Sequence, residues 1–165
     1  MSIAEPIAPD TAERANIDPF LAAMEDVMAD DEVELDFLTA ANITIVAPED
    51  TQDTIDAAVD RAIAEHSGLS LLILSGGGTN PEPEAGGPRC LIEVEMQLYL
   101  KSALRPPGSP KALELVGRLM RFWHDKQLSV TGFPWFEEIR FRSFDPLPDP
   151  DFTAYSIVFE RDLVF

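Results

Sequence analysis

The triplet Gly76–Gly78 follows the apolar run "LSLLIL", where a phosphate-cradling loop would begin. A P-loop places Gly-Lys-Ser/Thr at the start of a helix, and a dinucleotide fingerprint spaces its glycines across a strand–helix turn. Here the chain continues "TNPEPEAGGP", with no lysine and no helical pattern. The stretch therefore reads as strand, long loop over 76–88, strand. Gly76, Gly77, Gly78 and Asn80 are expected to be flexible loop positions, and no nucleotide is expected to bind.

The other chemistry-bearing residues are sparse. His66 and His124 are the only histidines, and neither stands in an HExxH or similar metal spacing. Each falls near an expected helix C-terminus, where a capping role suits it. Cys90 stands beside Arg89, which could lower a thiol pKa. A buried small apolar role suits a free cysteine better. Glu93 and Glu95 lie two apart and share a strand face, whereas Glu137 and Glu138 take opposite faces of an extended segment. Paired carboxylates can do acid–base work or hold a hard cation. A solvated sheet face accounts for them more simply. Aromatics concentrate between Trp123 and Phe165, mostly as core. Trp135 and Phe136, after the turn-like "TGFP", could instead anchor a partner. No catalytic residue, cofactor or metal site is assigned: the residues alone point to no enzyme chemistry, and a site assembled only in the folded chain stays open.

These residues need a scaffold. The 165-residue chain is 45% hydrophobic, enough for one domain with a real core. No apolar run is long enough to span a membrane, and the N-terminus lacks the basic and apolar regions of a secretory signal. One cysteine excludes an intrachain disulfide. The net charge is −18, of which residues 1–68 carry −15 and residues 69–165 carry −3. Such a surface repels nucleic-acid phosphates and anionic membranes, so neither is an expected partner.

Residues 1–17 show no periodicity and read as a flexible acidic, proline-containing tail; residues 18–165 read as a single domain. "IDPFLAAMEDVMADD" predicts a helix capped by Asp18 with Pro19 at its first position, and Phe20, Leu21, Met24, Val27 and Met28 as its apolar stripe. "NITIVAP" predicts a strand. "EDTQDTIDAAVDRAIAEHSG" predicts a helix stopped by Gly68, with Ile55, Ala58, Val59, Ala62 and Ile63 buried. "LSLLILS" predicts a central strand, and "CLIEVEMQLYL" a strand with one solvated face. "SPKALELVGRLMRFWHDKQL" predicts a helix capped by Ser109, with Leu113, Val116, Leu119, Met120 and Trp123 toward the core. "WFEEIRFRSFDPLP" and "FTAYSIVFERDLVF" predict a closing hairpin. The order α-β-α-β-β-α-β-β gives an α+β fold: a mostly antiparallel sheet of four to five strands with two to three helices on one face.

This order, with Gly87–Pro88 before the alternating strand 91–100, then Pro107–Gly108 and the helix from Ser109, resembles the small tail-terminator (tail-completion, minor tail) proteins of phages and prophages. The resemblance covers roughly residues 40–165 as a pattern of elements. The chain differs in its acidic N-terminal tail and in "LRPPGSP", where a more polar loop would be expected. The resemblance implies a non-enzymatic virion-assembly protein. It would form a homo-oligomeric ring, commonly a hexamer, that ends the tail tube and meets tail-tube and head-connector proteins. It implies residence in the host bacterial cytoplasm during assembly and in the virion tail afterwards. The alternative from charge alone is an acidic adaptor or inhibitor of a basic protein. For a ring, the expected interface joins Asp53, Asp56 and Asp60 of one subunit to Lys111, Arg118 and Arg121 of the next, since a contact between two different patches can close about a rotation axis; pairing of the same charges within one domain is the alternative.

Overall fold

The computed structural model describes residues 18–79, 89–129 and 136–164. The tail expected over 1–17 and Asn80 lie outside them, as does Trp135. The elements are α1 (Pro19–Asp30), β1 (Ile43–Ile45), α2 (Gln52–Glu65), β2 (Leu69–Thr79), β3 (Arg89–Leu100), α3 (Ala112–Trp123), β4 (Lys126–Ser129), β5 (Phe136–Leu147) and β6 (Thr153–Val164). The strands form one sheet in the order β1-β2-β3-β6-β5-β4, and only β1 and β2 run parallel. The α+β class and the closing hairpin β5–β6 are as expected.

The sheet is apolar on both faces only where both are covered. Leu71 and Ile73 of β2, Val94, Met96 and Leu98 of β3, and Ile157 and Phe159 of β6 join α1 and α3 in the main core. Leu72 of β2 points the other way, into a smaller cluster with Val59 and Ile63 of α2. The helices thus pack on two faces rather than one. This explains why β2 is continuously apolar while β3 alternates: α2 covers β2, and beyond it Glu93 and Glu95 of β3 meet solvent.

The sheet has six strands. The unexpected one, β4, comes from "KQLS", which looks like the tail of α3 in sequence. The helix stops because Asp125 takes a φ of 60° and donates its N–H to Ile139 O at 2.8 Å, which begins the β4–β5 pairing. At the other end α3 starts at Ala112, with Lys111 in the cap position. Ser109 does not cap it; its hydroxyl closes the preceding turn on Pro106 O at 2.6 Å. The buried stripe is Leu115, Val116, Leu119, Phe122 and Trp123. At 100° per residue Leu113 falls opposite Leu115, and it is 57% exposed.

The glycine triplet is not yet loop. Gly76–Gly78 belong to β2, where the pairing with β3 shifts register between Ser75 and Gly78. A Cβ at Gly76 would stand 2.9 Å from Glu93 Cβ, so glycine admits the close approach of the two strands.

Gly68 is constrained more tightly. It has a φ of +72°, and an added Cβ would meet Leu104 Cβ and Lys101 O, both at 2.9 Å. Its carbonyl accepts the Lys101 N–H at 2.9 Å, tying the end of α2 to the segment after β3. Gly68→Ala is expected to cost about 2 kcal/mol, more than the ~1 kcal/mol of left-handed strain alone, because backbone must shift. Chemical denaturation measures it; a cost below 0.5 kcal/mol, on the order of an ordinary surface change, would mean that the segment yields freely.

Candidate interaction surfaces

The expected acidic residues Asp53, Asp56 and Asp60 are all exposed on α2. The expected basic residues divide. Lys111 is exposed and takes part in no ion pair among the described residues. Arg118 is held by Asp36 at 3.1 Å and Glu114 at 3.5 Å, and Arg121 stands 3.9 Å from Glu34. Acids following α1 therefore hold Arg118 and stand near Arg121, which stays 66% exposed, and α2, on the opposite sheet face, does not reach them.

The histidines are caps. His66 is the C-cap of α2, and its carbonyl accepts from Asn42 Nδ2 at 2.8 Å. His124 caps α3, and its Nδ1 accepts the Phe141 N–H at 3.2 Å. Cys90 is half-buried at the start of β3. Among the described residues no group of His, Cys, Asp or Glu is placed to hold a metal ion.

The glutamates lie on a polar sheet face, as the alternation of β3 predicts. Arg142 donates to Glu93 at 2.7 Å and Glu160 at 3.0 Å, and Arg140 to Glu138 at 3.2 Å. Glu95 accepts from Ser156 Oγ at 2.6 Å and from Gln97 Nε2 at 2.9 Å. Gln97 in turn accepts from the Tyr99 hydroxyl at 2.7 Å. Such ladders fix cross-strand register and leave the carboxylates engaged.

Two features were not legible in advance. The first is a cleft of about 320 Å³ between α2, the sheet and the turn joining β5 to β6. Leu72, Leu74, Tyr99 and Phe152 form its floor, and Asp56, Asp60, Asp149 and Asp151 its rim. Tyr99 and Phe152 meet edge to face, with centroids 6.2 Å apart. Asp149 shapes the turn by accepting the N–H groups of Asp151 at 2.8 Å and Phe152 at 3.0 Å. Burial, then the carboxylates of Asp149, Asp56 and Glu95, push the Tyr99 hydroxyl above its ordinary pKa. Among the described residues no lysine or arginine lines the cleft. The repeated Asp-Pro of "DPLPDPDF" and the lone aromatic on the polar face of β3 were the available signals.

The second feature is the segment 101–111. It turns through a short 3₁₀ helix, Ser102–Leu104, and is stiffened by Pro106, Pro107 and Pro110. Arg105 Nη1 donates to Ser67 O at 3.1 Å, and burial holds its guanidinium below the usual pKa. Lys101 and Lys111 are exposed, and Leu104 and Leu113 are 46% and 57% exposed. On the α3 side a groove of about 560 Å³ runs beside the segment, lined by Leu100, Pro107, Lys111, Leu113 and Tyr155 among others.

No protein-family model matches the chain, and no curated protein matches it.

Proposed function

We propose that this chain is a structural assembly subunit of a phage or prophage tail, forming a homo-oligomeric ring that ends the tail tube and joins it to the head connector. The observation that carries this reading is the pair of unlike surfaces on one body. Asp53, Asp56 and Asp60 present an acidic surface over one sheet face, and Lys101 and Lys111 flank a cationic segment with exposed leucines. A contact between two different patches is heterologous, and repeated about an axis it closes into a ring. The resemblance of its sequence pattern to tail terminators supplies the tail context.

The test is molar mass by light scattering. Each copy carries −18, so long-range repulsion opposes association until salt screens it. Contact pairs are screened later, as the Debye length falls from about 8 Å at 0.15 M to about 3 Å at 1 M. A mass of several subunits is expected near physiological salt, falling toward one subunit at high salt. Lys111→Glu should weaken assembly throughout, whereas Arg118 is already occupied by Asp36 and Glu114. A single-subunit mass at high protein concentration under all these conditions would remove the assembly mechanism.

The acidic cleft also favours a second reading, an adaptor or inhibitor that binds a basic protein partner. Genes for capsid, portal and tail-tube proteins beside this one are the setting expected of the first reading and not of the second.

A further inference from the structure

We infer that the acidic cleft under α2 receives the 101–113 segment of a second copy of this chain, with Lys111 meeting the carboxylate rim and an exposed leucine meeting the aromatic floor. This rests on the ring reading and specifies its contact. The complementarity has both halves on one molecule. The cleft offers a floor of Leu72, Tyr99 and Phe152 under a rim that includes Asp60 and Asp151, with no lysine or arginine in its lining among the described residues. The segment offers Lys101 and Lys111, neither in an ion pair among the described residues, and Leu104 and Leu113, both exposed.

Geometry argues for a neighbour over internal closure. The groove that holds Lys111 includes Tyr155, which packs against the core on the α1/α3 side, whereas the cleft lies on the α2 side. One molecule therefore presents Lys111 and Leu113 on the opposite side of its sheet from the cleft. The segment is also ready to dock. Three prolines restrict its backbone, and the Lys101 N–H and the Arg105 guanidinium are tied to Gly68 O and Ser67 O. Pre-organisation of this kind lowers the ordering cost of binding. A small cation is the poorer occupant, because the rim carboxylates do not form a metal-holding group.

Cross-linking of two full-length variants in equal mixture tests this. Both carry Cys90→Ser; one adds Pro107→Cys on the segment, the other Gln52→Cys at the cleft. A short bis-maleimide should give a covalent dimer at least five-fold more abundant in the mixture than in either protein alone. Asp60→Lys with Asp151→Lys on the cleft partner should abolish that excess, and Lys111→Glu on the segment partner should restore it. Circular dichroism melts confirm that each variant is folded, and the charge-swap rescue separates loss of contact from loss of structure. If light scattering shows multimers while the mixture gives no excess dimer, the docking is overturned and the ring reading stands. If neither multimers nor cross-links appear, both fall.

Discussion

Asp18→Ala should lower the free energy of unfolding by about 3 kcal/mol, because one carboxylate does two jobs. Asp18 Oδ1 accepts the Phe20 N–H at 2.9 Å and caps α1, while Oδ2 accepts from Arg161 Nη1 at 3.0 Å. Arg161, on β6, is only 2% exposed, and its guanidinium carbon lies 5.2 Å from the Phe20 ring centroid. Loss of a cap costs about 1 kcal/mol, and removal of one partner of a buried pair about 3–5 kcal/mol. The two losses share a side chain and will not add fully. For a chain of this size the midpoint of thermal melting should fall by roughly 6–12 °C. Asp18→Asn keeps a capping oxygen but loses the charge, so it should fall between Asp18→Ala and the native chain. A loss below about 1 kcal/mol for Asp18→Ala would show that other groups around Arg161 carry its charge.

Local patterns were legible where a single element contains its own signal. Asp18 and Pro19 mark the start of α1, because capping depends on residues within one turn. The alternation of β3 and the continuous apolar run of β2 state which strand has one covered face and which has two. The side on which each helix lies was not legible. Amphipathicity says that α2 has a buried stripe, not which face of the sheet receives it, although the doubly apolar β2 required cover on both. Strand β4 escaped because Leu128 is the only apolar residue of "KQLS" and the run continues a helical pattern. Its break rests on a positive φ at Asp125, which aspartate tolerates without advertising. The cleft combines Asp56, Tyr99 and Asp149 from three distant elements, so only the fold could assemble it. The distribution of charge was visible early, but not which cations were already occupied. Arg118 and Lys111 look alike in sequence, and Asp36 distinguishes them.

Glu25→Gln is expected to stabilise the protein above neutral pH. Glu25 lies on α1 between Met24 and Met28, is 7% exposed, and has no hydrogen bond or ion pair among the described residues. Burial first, then the neighbouring Asp26 carboxylate, raises its pKa from 4.5 to about 7. A raised carboxyl pKa means that the folded chain holds this proton at a pH where the unfolded chain has lost it. Between about pH 4.5 and 7 the unfolded state binds fewer protons, so the contribution of this group to stability declines as pH rises through that window. Below it both states are protonated, and above it both are ionised and the loss is complete. At 1.36 kcal/mol per pKa unit the full decline is about 3 kcal/mol. Glutamine keeps the shape of the protonated acid and cannot ionise. The variant should therefore match the native chain near pH 4.5 and exceed it by about 3 kcal/mol at pH 8. Other carboxylates titrate in both proteins, among them Asp31, whose pKa is lowered chiefly by the Leu35 N–H, so the difference between the two curves isolates Glu25. Urea denaturation across pH 4.5–8 provides those curves. A constant difference over the window would show that Glu25 ionises as easily in the folded chain as in the unfolded one.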